Sequence, residues 1–313
     1  MKYAVISDIH GNLPALEAVL ADVRQREITH CLFAGDYCIS GPWPDECIAV
    51  LRAIPGKTVI RGNEENYLEN LIGRDPSQWT DGQMQISYWS YRNISRSNLD
   101  YVLALPHTAD LICNSVPIHM AHASDAFLAS CICPNSIGIV EQYAGVDVTH
   151  DMLRHDILSG LEQDHAFQKK VSSLADGVYI FGHSHVQWHY QTRDRRVCLI
   201  NPGSCGLPLD GIRDSIPYTI LEIADNGRIS VEEKRIPFDK AAYIRTLTQT
   251  GQFREATVWT QVIMKELSKA REHIYYFLTF ADRYAKRIGD DRRPFAADTW
   301  EQAYEAWNRS LEE

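Results

Sequence analysis

Aspartate, histidine and asparagine recur in this chain in five short clusters: Asp8-Ile9-His10, Gly35-Asp36, Gly62-Asn63-Glu64, His122, and Gly182-His183-Ser184-His185. Carboxylate, imidazole and amide oxygen are borderline-to-hard donors suited to divalent metals. Each cluster follows an apolar run that reads as a buried strand, at residues 3–6, 32–34, 57–60, 118–121 and 178–181. In open α/β sheets the carboxyl ends of the strands lie along one edge, and ligand sites form there. Side chains drawn from distant stretches can therefore meet in one crevice, and the pattern points to a metal site.

Taken singly, each cluster has a plainer explanation. Asp8 before a helix is an ordinary cap, Gly35-Asp36 an ordinary turn, and His183 with His185 a pair of surface histidines. Their common placement after strands argues for a shared task. His119 competes with His122, but His122 stands at a strand end before the small residues Ala123 and Ser124, whereas His119 falls within the strand. His30, His107, His150, His155, His165, His189 and His273 read as packing or surface residues.

The elements that would carry these groups alternate at first. After the 3–6 strand, Leu13, Leu16, Val19, Leu20 and Val23 recur at helical spacing, with Pro14 in the first turn, where its missing N–H costs nothing. A second strand leads into a helix over 44–54, ended by Pro55-Gly56, and a third strand follows. This rhythm predicts βαβ units in a parallel sheet. Residues 65–105 read as mostly helical, and Asn114-Ser115 joins a hairpin. Residues 124–175 break the sheet pattern and read as a helical insertion over the site. Strands resume at 177–181, 186–191, 197–201, 218–223 and 229–235, with a tight turn at Asp225-Asn226-Gly227. From Phe238 the chain is expected to be helical, with Pro294 as its one clear break.

Composition narrows the function classes. At 313 residues, one large domain with an appendage is expected. A formal charge of −10 argues against a broad nucleic-acid surface, which needs clustered lysine and arginine. No stretch approaches the ~18 apolar residues of a membrane span, and the N-terminus shows no export pattern, so a cytoplasmic location is expected. The eight cysteines form no C-x-x-C pair and read as reduced, buried thiols.

Read together, Asp8-x-His10, Gly35-Asp36, Gly62-Asn63, His122 and Gly182-His183-x-His185 resemble the signature of the calcineurin-like metallophosphoesterase superfamily. Asn201-Pro202-Gly203-Ser204 resembles its bacterial phosphodiesterase-type branch. The resemblance covers residues 1–236 and implies an α/β fold, a four-layer αββα sandwich of two mixed sheets, with 237–313 as a helical C-terminal extension. It also implies two divalent metal ions, manganese or iron foremost, then zinc, cobalt or nickel. Asp8, His10 and His185 would hold one, Asn63, His122 and His183 the other, and Asp36 would bridge them. The implied activity is hydrolysis of phosphodiester or phosphoanhydride bonds by a hydroxide activated between the two metals. A phosphoprotein phosphatase or a non-catalytic protein-binding scaffold on the same fold are the alternatives.

Catalytic roles would fall to Asp36, Asn63 and Glu64. The family often has histidine where Glu64 stands, to protonate the leaving oxygen or steady the phosphate, and a carboxylate there is a poor substitute unless burial raises its pKa. Among substrate contacts, Asn12 either reaches a substrate oxygen or caps the first helix. Arg61 either meets phosphate by a forked contact or forms a salt bridge. Ser204 stands near the site or satisfies backbone groups. The expected partner is a small phosphorylated substrate, with a nucleotide among the candidates. The helical stripes Val258, Val262, Ile263, Leu267 and Ile274, Phe277, Leu278, Ala281, Tyr284 read as core, or as a homodimer surface.

Overall fold

The computed structural model describes residues 1–311 of the chain. Ten strands form two five-stranded mixed sheets among these residues. The first contains β1 (Lys2–Ile6), β2 (His30–Phe33), β3 (Lys57–Val59), β9 (Ser215–Ile223) and β10 (Ile229–Pro237), ordered β10-β9-β1-β2-β3. The second contains β4 (Thr108–Cys113), β5 (Val116–Ala121), β6 (Gly177–Ile180), β7 (Gln187–Gln191) and β8 (Val197–Pro202), ordered β4-β5-β6-β8-β7. β1, β2 and β3 run parallel in one sheet, and β5, β6 and β8 run parallel in the other.

Why the central strands are apolar on both faces follows from the layering. Tyr3 and Val5 face Leu32, Ile118, Met120, Val178 and Ile180 in the core between the sheets. Ala4 and Ile6 face the opposite way, onto Leu16, Val19 and Leu20 of α1 (Leu13–Gln25) and Cys47, Ile48 and Leu51 of α2 (Pro44–Ala53). Beyond β3 come α3 (Asn63–Glu69), α4 (Gln85–Arg92) and α5 (Arg96–Leu103).

The segment expected over the site lies elsewhere. Its helices α6 (Asp125–Leu128), α7 (Ser136–Gln142), α8 (His150–Gln163) and α9 (His165–Val171) cover the outer face of the second sheet. Leu153, Leu161, Phe167 and Val171 pack there on Tyr179, Phe181, Trp188, Tyr190 and Leu199. Those large apolar side chains need a cover, and residues 124–175 supply the fourth layer of the sandwich.

The C-terminal residues form α10 (Lys240–Leu247), α11 (Gly251–Glu255), α12 (Thr257–Lys269), α13 (Ile274–Ile288) and α14 (Ala297–Ser310). Breaks are more frequent than expected, notably at Ala270, which adopts φ 51° and ends α12. The stripes on α12 and α13 are used within the chain: Val258, Val262, Phe277 and Ala281 pack with Trp300 and Trp307 of α14, and Ile263 and Leu267 with Tyr243 and Leu247. All eight cysteines are free. No described helix is long and apolar enough to cross a membrane.

Candidate metal centre

All five clusters lie at the carboxyl ends of parallel strands. Asp8 and His10 follow β1, Asp36 follows β2, Asn63 follows β3, His122 follows β5, and His183 and His185 follow β6. The pairing of β1 with β2 continues into the loops, since Asp8 N–H donates to Gly35 O (3.0 Å) and His10 N–H to Asp36 O (3.1 Å). The second sheet is laced likewise, with Gly182 N–H donating to His122 O (2.8 Å).

The loops bend sharply to turn their side chains inward. Asp8, His10, Asp36, His183 and His185 all have positive φ, between 52° and 69°. Non-glycine residues rarely adopt this conformation, at a cost on the order of 1 kcal/mol each. Gly35 shows how tightly the loops pack, since a Cβ there would lie 2.5 Å from His122 Nδ1 and 2.7 Å from Gly62 Cα.

Two donor groups result. Ligand atoms of Asp8, His10 and His185 lie within 4.8 Å of one another, and so do those of Asp36, His122 and His183. Asp36 also lies within 4.8 Å of His10 and Glu64 in a third such group, which suits a residue shared between the first two. Asn63 Oδ1 joins the second group, 2.9 Å from His122 Nε2 and 2.8 Å from His183 Nδ1.

The orientation of the rings tests whether a cation fits. His10 Nδ1 faces Ile39 O (3.2 Å) and His185 Nδ1 faces Leu207 O (2.8 Å). Each carbonyl accepts, so each Nδ1 carries hydrogen, and a neutral ring then presents a lone pair at Nε2. The two Nε2 atoms are 3.0 Å apart. His122 Nδ1 likewise donates to Ala34 O (2.6 Å), turning Nε2 toward Asp36 Oδ2 (3.1 Å) and Asn63 Oδ1. With neutral rings, lone pairs would face one another or an oxygen in both groups, an arrangement that suits a cation. The residues fit two divalent ions.

In the metal-free chain, protons fill that need. Burial opposes charge on His10, but Glu64 first, then Asp36 and Asp8, lift its pKa to about 10. Burial opposes charge on His122 too, and Asp36 outweighs it, giving about 10. For Asp36, burial is outweighed by His122, and its carboxyl is held well below the usual range. His185 goes the other way, pushed by burial down to about 4.

Glu64 turns its carboxylate toward His10. Its carboxylate lies 3.0 Å from His10 Nδ1 and accepts from Ile39 N–H (3.0 Å). Burial raises its pKa to about 7, against the pull of His10. The expected catalytic role therefore becomes a positioning one, exerted through His10. Arg61 is also reassigned: its guanidinium pairs with Glu69 and donates to Leu103 O (3.2 Å). Asn12 spends both ends of its amide, accepting from Ala15 N–H (3.2 Å) to cap α1 and donating to Gly206 O (2.8 Å). Ser204 Oγ donates to Asp8 O (2.7 Å) and accepts from Leu207 N–H (2.8 Å), so it serves the backbone. His119 sits on β5 beside Asp110, as its place within the strand implies.

Two residues take positioning roles that the sequence did not assign, Glu65 unremarked there and Asn201 noted only within its motif. Glu65 is fully buried and accepts from the N–H groups of Asp36 (3.2 Å), Tyr37 (2.8 Å) and Gly62 (2.8 Å), tying two ligand loops together. Asn201 donates to Gly182 O (2.9 Å) and Ser184 Oγ (3.0 Å), fixing the loop that carries both terminal histidines. Glu65 makes the glutamate half of a capping box with the Gly62 N–H, but glycine at the N-cap lacks the side-chain oxygen that marks this motif in a sequence.

Residues 1–226 match the family model described as the calcineurin-like phosphoesterase superfamily domain. An uncharacterised protein of Methanocaldococcus jannaschii is 29% identical over 242 residues, covering 77% of this chain and 89% of that protein. A metallophosphoesterase from Sphaerobacter thermophilus has a similar fold, with TM-score 0.56 and 23% identity over 86% of this chain and 100% of its own. A hypothetical protein from Pyrococcus horikoshii aligns with TM-score 0.59 and 15% identity, covering 87% and 99%.

Proposed function

The chain belongs to the calcineurin-like phosphoesterase superfamily, and on that footing we propose that it is a two-metal hydrolase of phosphodiester or phosphoanhydride bonds. The observation that carries this reading is the pair of donor groups in which lone pairs face lone pairs, Asp8 with His10 and His185, and Asn63 with Asp36, His122 and His183. Two divalent ions, manganese or iron foremost, would there lower the pKa of a shared water and offset charge on a phosphoryl group.

The chain's own residues supply the rest. Asp36 lies between the groups and is fixed by the N–H of Glu64 (2.9 Å) on Oδ1, leaving Oδ2 toward His122. Asp8 accepts from His183 N–H at both oxygens (3.2 Å each), which locks the two ligand loops in register. Glu64 behind His10 makes Nε2 a stronger donor, as outer carboxylates do for metal-bound imidazoles. Only two of the seven ligands are carboxylates, so the centre would be net positive and attract phosphate although the chain is acidic overall.

With Glu64 turned to His10, the residue after Asn63 offers no imidazole to protonate a departing oxygen. Substrates whose leaving group needs no proton should therefore react fastest. The test compares turnover of an aryl phosphodiester, a dinucleoside polyphosphate, a phosphopeptide and an alkyl phosphomonoester under manganese. Faster cleavage of the first two is expected. Fastest cleavage of the alkyl monoester would overturn the leaving-group argument, and fastest cleavage of the phosphopeptide would favour a protein phosphatase.

A further inference from the structure

A cavity of about 300 Å³ opens beside the metal centre, and the C-terminal helices build one wall of it. Its lining includes Glu64 and Tyr67 of α3, Ser40 from the loop that carries Asp36, Met84 before α4, Trp259 of α12 and Leu278 of α13. The two segments that hold Asp36 and Asn63 thus also form the cavity's inner end. Trp259 and Leu278 lie beyond residue 226, outside the part of the chain that matches the family domain.

The wall is held in place rather than loosely apposed. Trp259 Nε1–H donates to Gln83 O (2.6 Å), and the fully buried Gln252 donates through Nε2 to Ser40 O (2.8 Å). Tyr67 stands at the mouth with 46% of its surface exposed, one turn after Asn63. Sites of this kind, apolar walls with a few polar groups, suit small organic ligands. An apolar space of roughly 150 Å³ already admits a benzene ring, so this one has room for a single ring system. Ser87 also lines the cavity and adds a hydroxyl to it.

We propose that this cavity binds a planar aromatic group on the phosphate substrate, an aryl ring or a nucleobase, and so sets substrate preference. The proposal rests on the phosphoesterase reading and names the substrate class for the same site. Trp259 and Tyr67 bring aromatic side chains to the lining, while Met84 and Leu278 supply the apolar remainder. The phosphoryl group would stay at the metal ligands, one helical turn from Tyr67.

The test is calorimetric binding to the manganese-loaded full-length protein, with probes that are not turned over. Phenylphosphonate and methylphosphonate share a phosphoryl head and differ in the ring. Wild type is expected to bind the phenyl compound at least tenfold more tightly, and Leu278→Trp, which fills the cavity, to bring the ratio near one. Should Leu278→Trp not fold, Tyr67→Ala at the exposed rim is expected to lower the ratio at least threefold. The non-hydrolysable methylenephosphonate analogues of adenosine 5′-monophosphate and ribose 5-phosphate form the second arm. A preference there that the same variants cancel assigns the ring to nucleobases, and its absence with the phenyl preference intact assigns it to aryl esters. Equal binding within both pairs, or a preference that neither variant changes, overturns the proposal. A protein that shows the ring preference yet cleaves no phosphoester refutes the hydrolase reading alone. One that cleaves phosphoesters without any ring preference refutes only the ring site.

Discussion

Two clusters of histidine and carboxylate among the described residues behave oppositely, one buried and one half-buried. At the metal centre, His10 and His185 turn Nε2 toward each other, and His122 turns Nε2 toward two acceptors. His150 and His189 instead each aim a nitrogen at a separate oxygen of Glu233, at 2.7 Å and 2.6 Å. There donor meets acceptor, and the cluster is complete without an ion. Burial works against the Glu233 charge, but the hydrogen bonds from His150 and His189 hold its pKa at about 2. Residue type alone does not make a metal site. Ring orientation does, and it comes from left-handed loops and carbonyl partners in one place, and from regular strands and a helix start in the other.

The sharpest way to break this contrast is to neutralise one carboxylate in each cluster. Asp36→Asn should lower turnover by a factor on the order of 1,000 and reduce bound metal, with circular dichroism unchanged. Glu233→Gln should leave turnover per folded molecule within about twofold, while costing about 1–3 kcal/mol of stability in denaturant titrations. Equal losses of activity would erase the distinction. A smaller effect is expected from Glu64→Gln, which removes the charge behind His10. Metal affinity should fall by about 10–100-fold, measured by manganese titration, whereas an unchanged affinity would deny Glu64 a positioning role.

Acidity separates the metal-free from the loaded centre. His10 and His122 are held near 10 in the folded chain, above the ordinary 6.5, so their protonation favours the fold. That contribution is complete below pH 6.5 and is lost as the pH climbs to about 10. Glu64, raised to about 7 by burial, has the same sign over the range from 4.5 to 7. Asp36, held low, contributes above its ordinary value and loses that contribution only in acid. Thermal melts of metal-free protein should therefore drop by several degrees between pH 7 and 10. Manganese-saturated protein, whose ligands must be deprotonated, should show no such drop. The smallest effect belongs to Asn12→Ala, which removes a helix cap worth about 1 kcal/mol and should leave KM unchanged. A several-fold rise in KM would restore the substrate contact.

Much of this was legible in the sequence because apolar runs, glycines and metal-type residues coincide at strand ends. The hairpin at Asn114-Ser115 was marked by turn chemistry, and both residues adopt positive φ. Other features left no local mark. Ala270 breaks α12 in a left-handed conformation without glycine or proline to announce it. The place of residues 124–175 depends on which face of the second sheet carries Phe181, Trp188 and Leu199, a matter of tertiary register. Arg61 could be read as a phosphate ligand because only folding brings Glu69 and Leu103 O to its guanidinium.

The central claim is that two cations sit among seven side chains. Anomalous diffraction from crystals soaked in manganese, paired with elemental analysis of the same protein, addresses it most directly. Two ions per chain are expected, one among Asp8, His10 and His185, the other among Asn63, His122 and His183, with Asp36 touching both. Peaks beside Glu233 instead, or no bound metal at saturating manganese, would contradict the account.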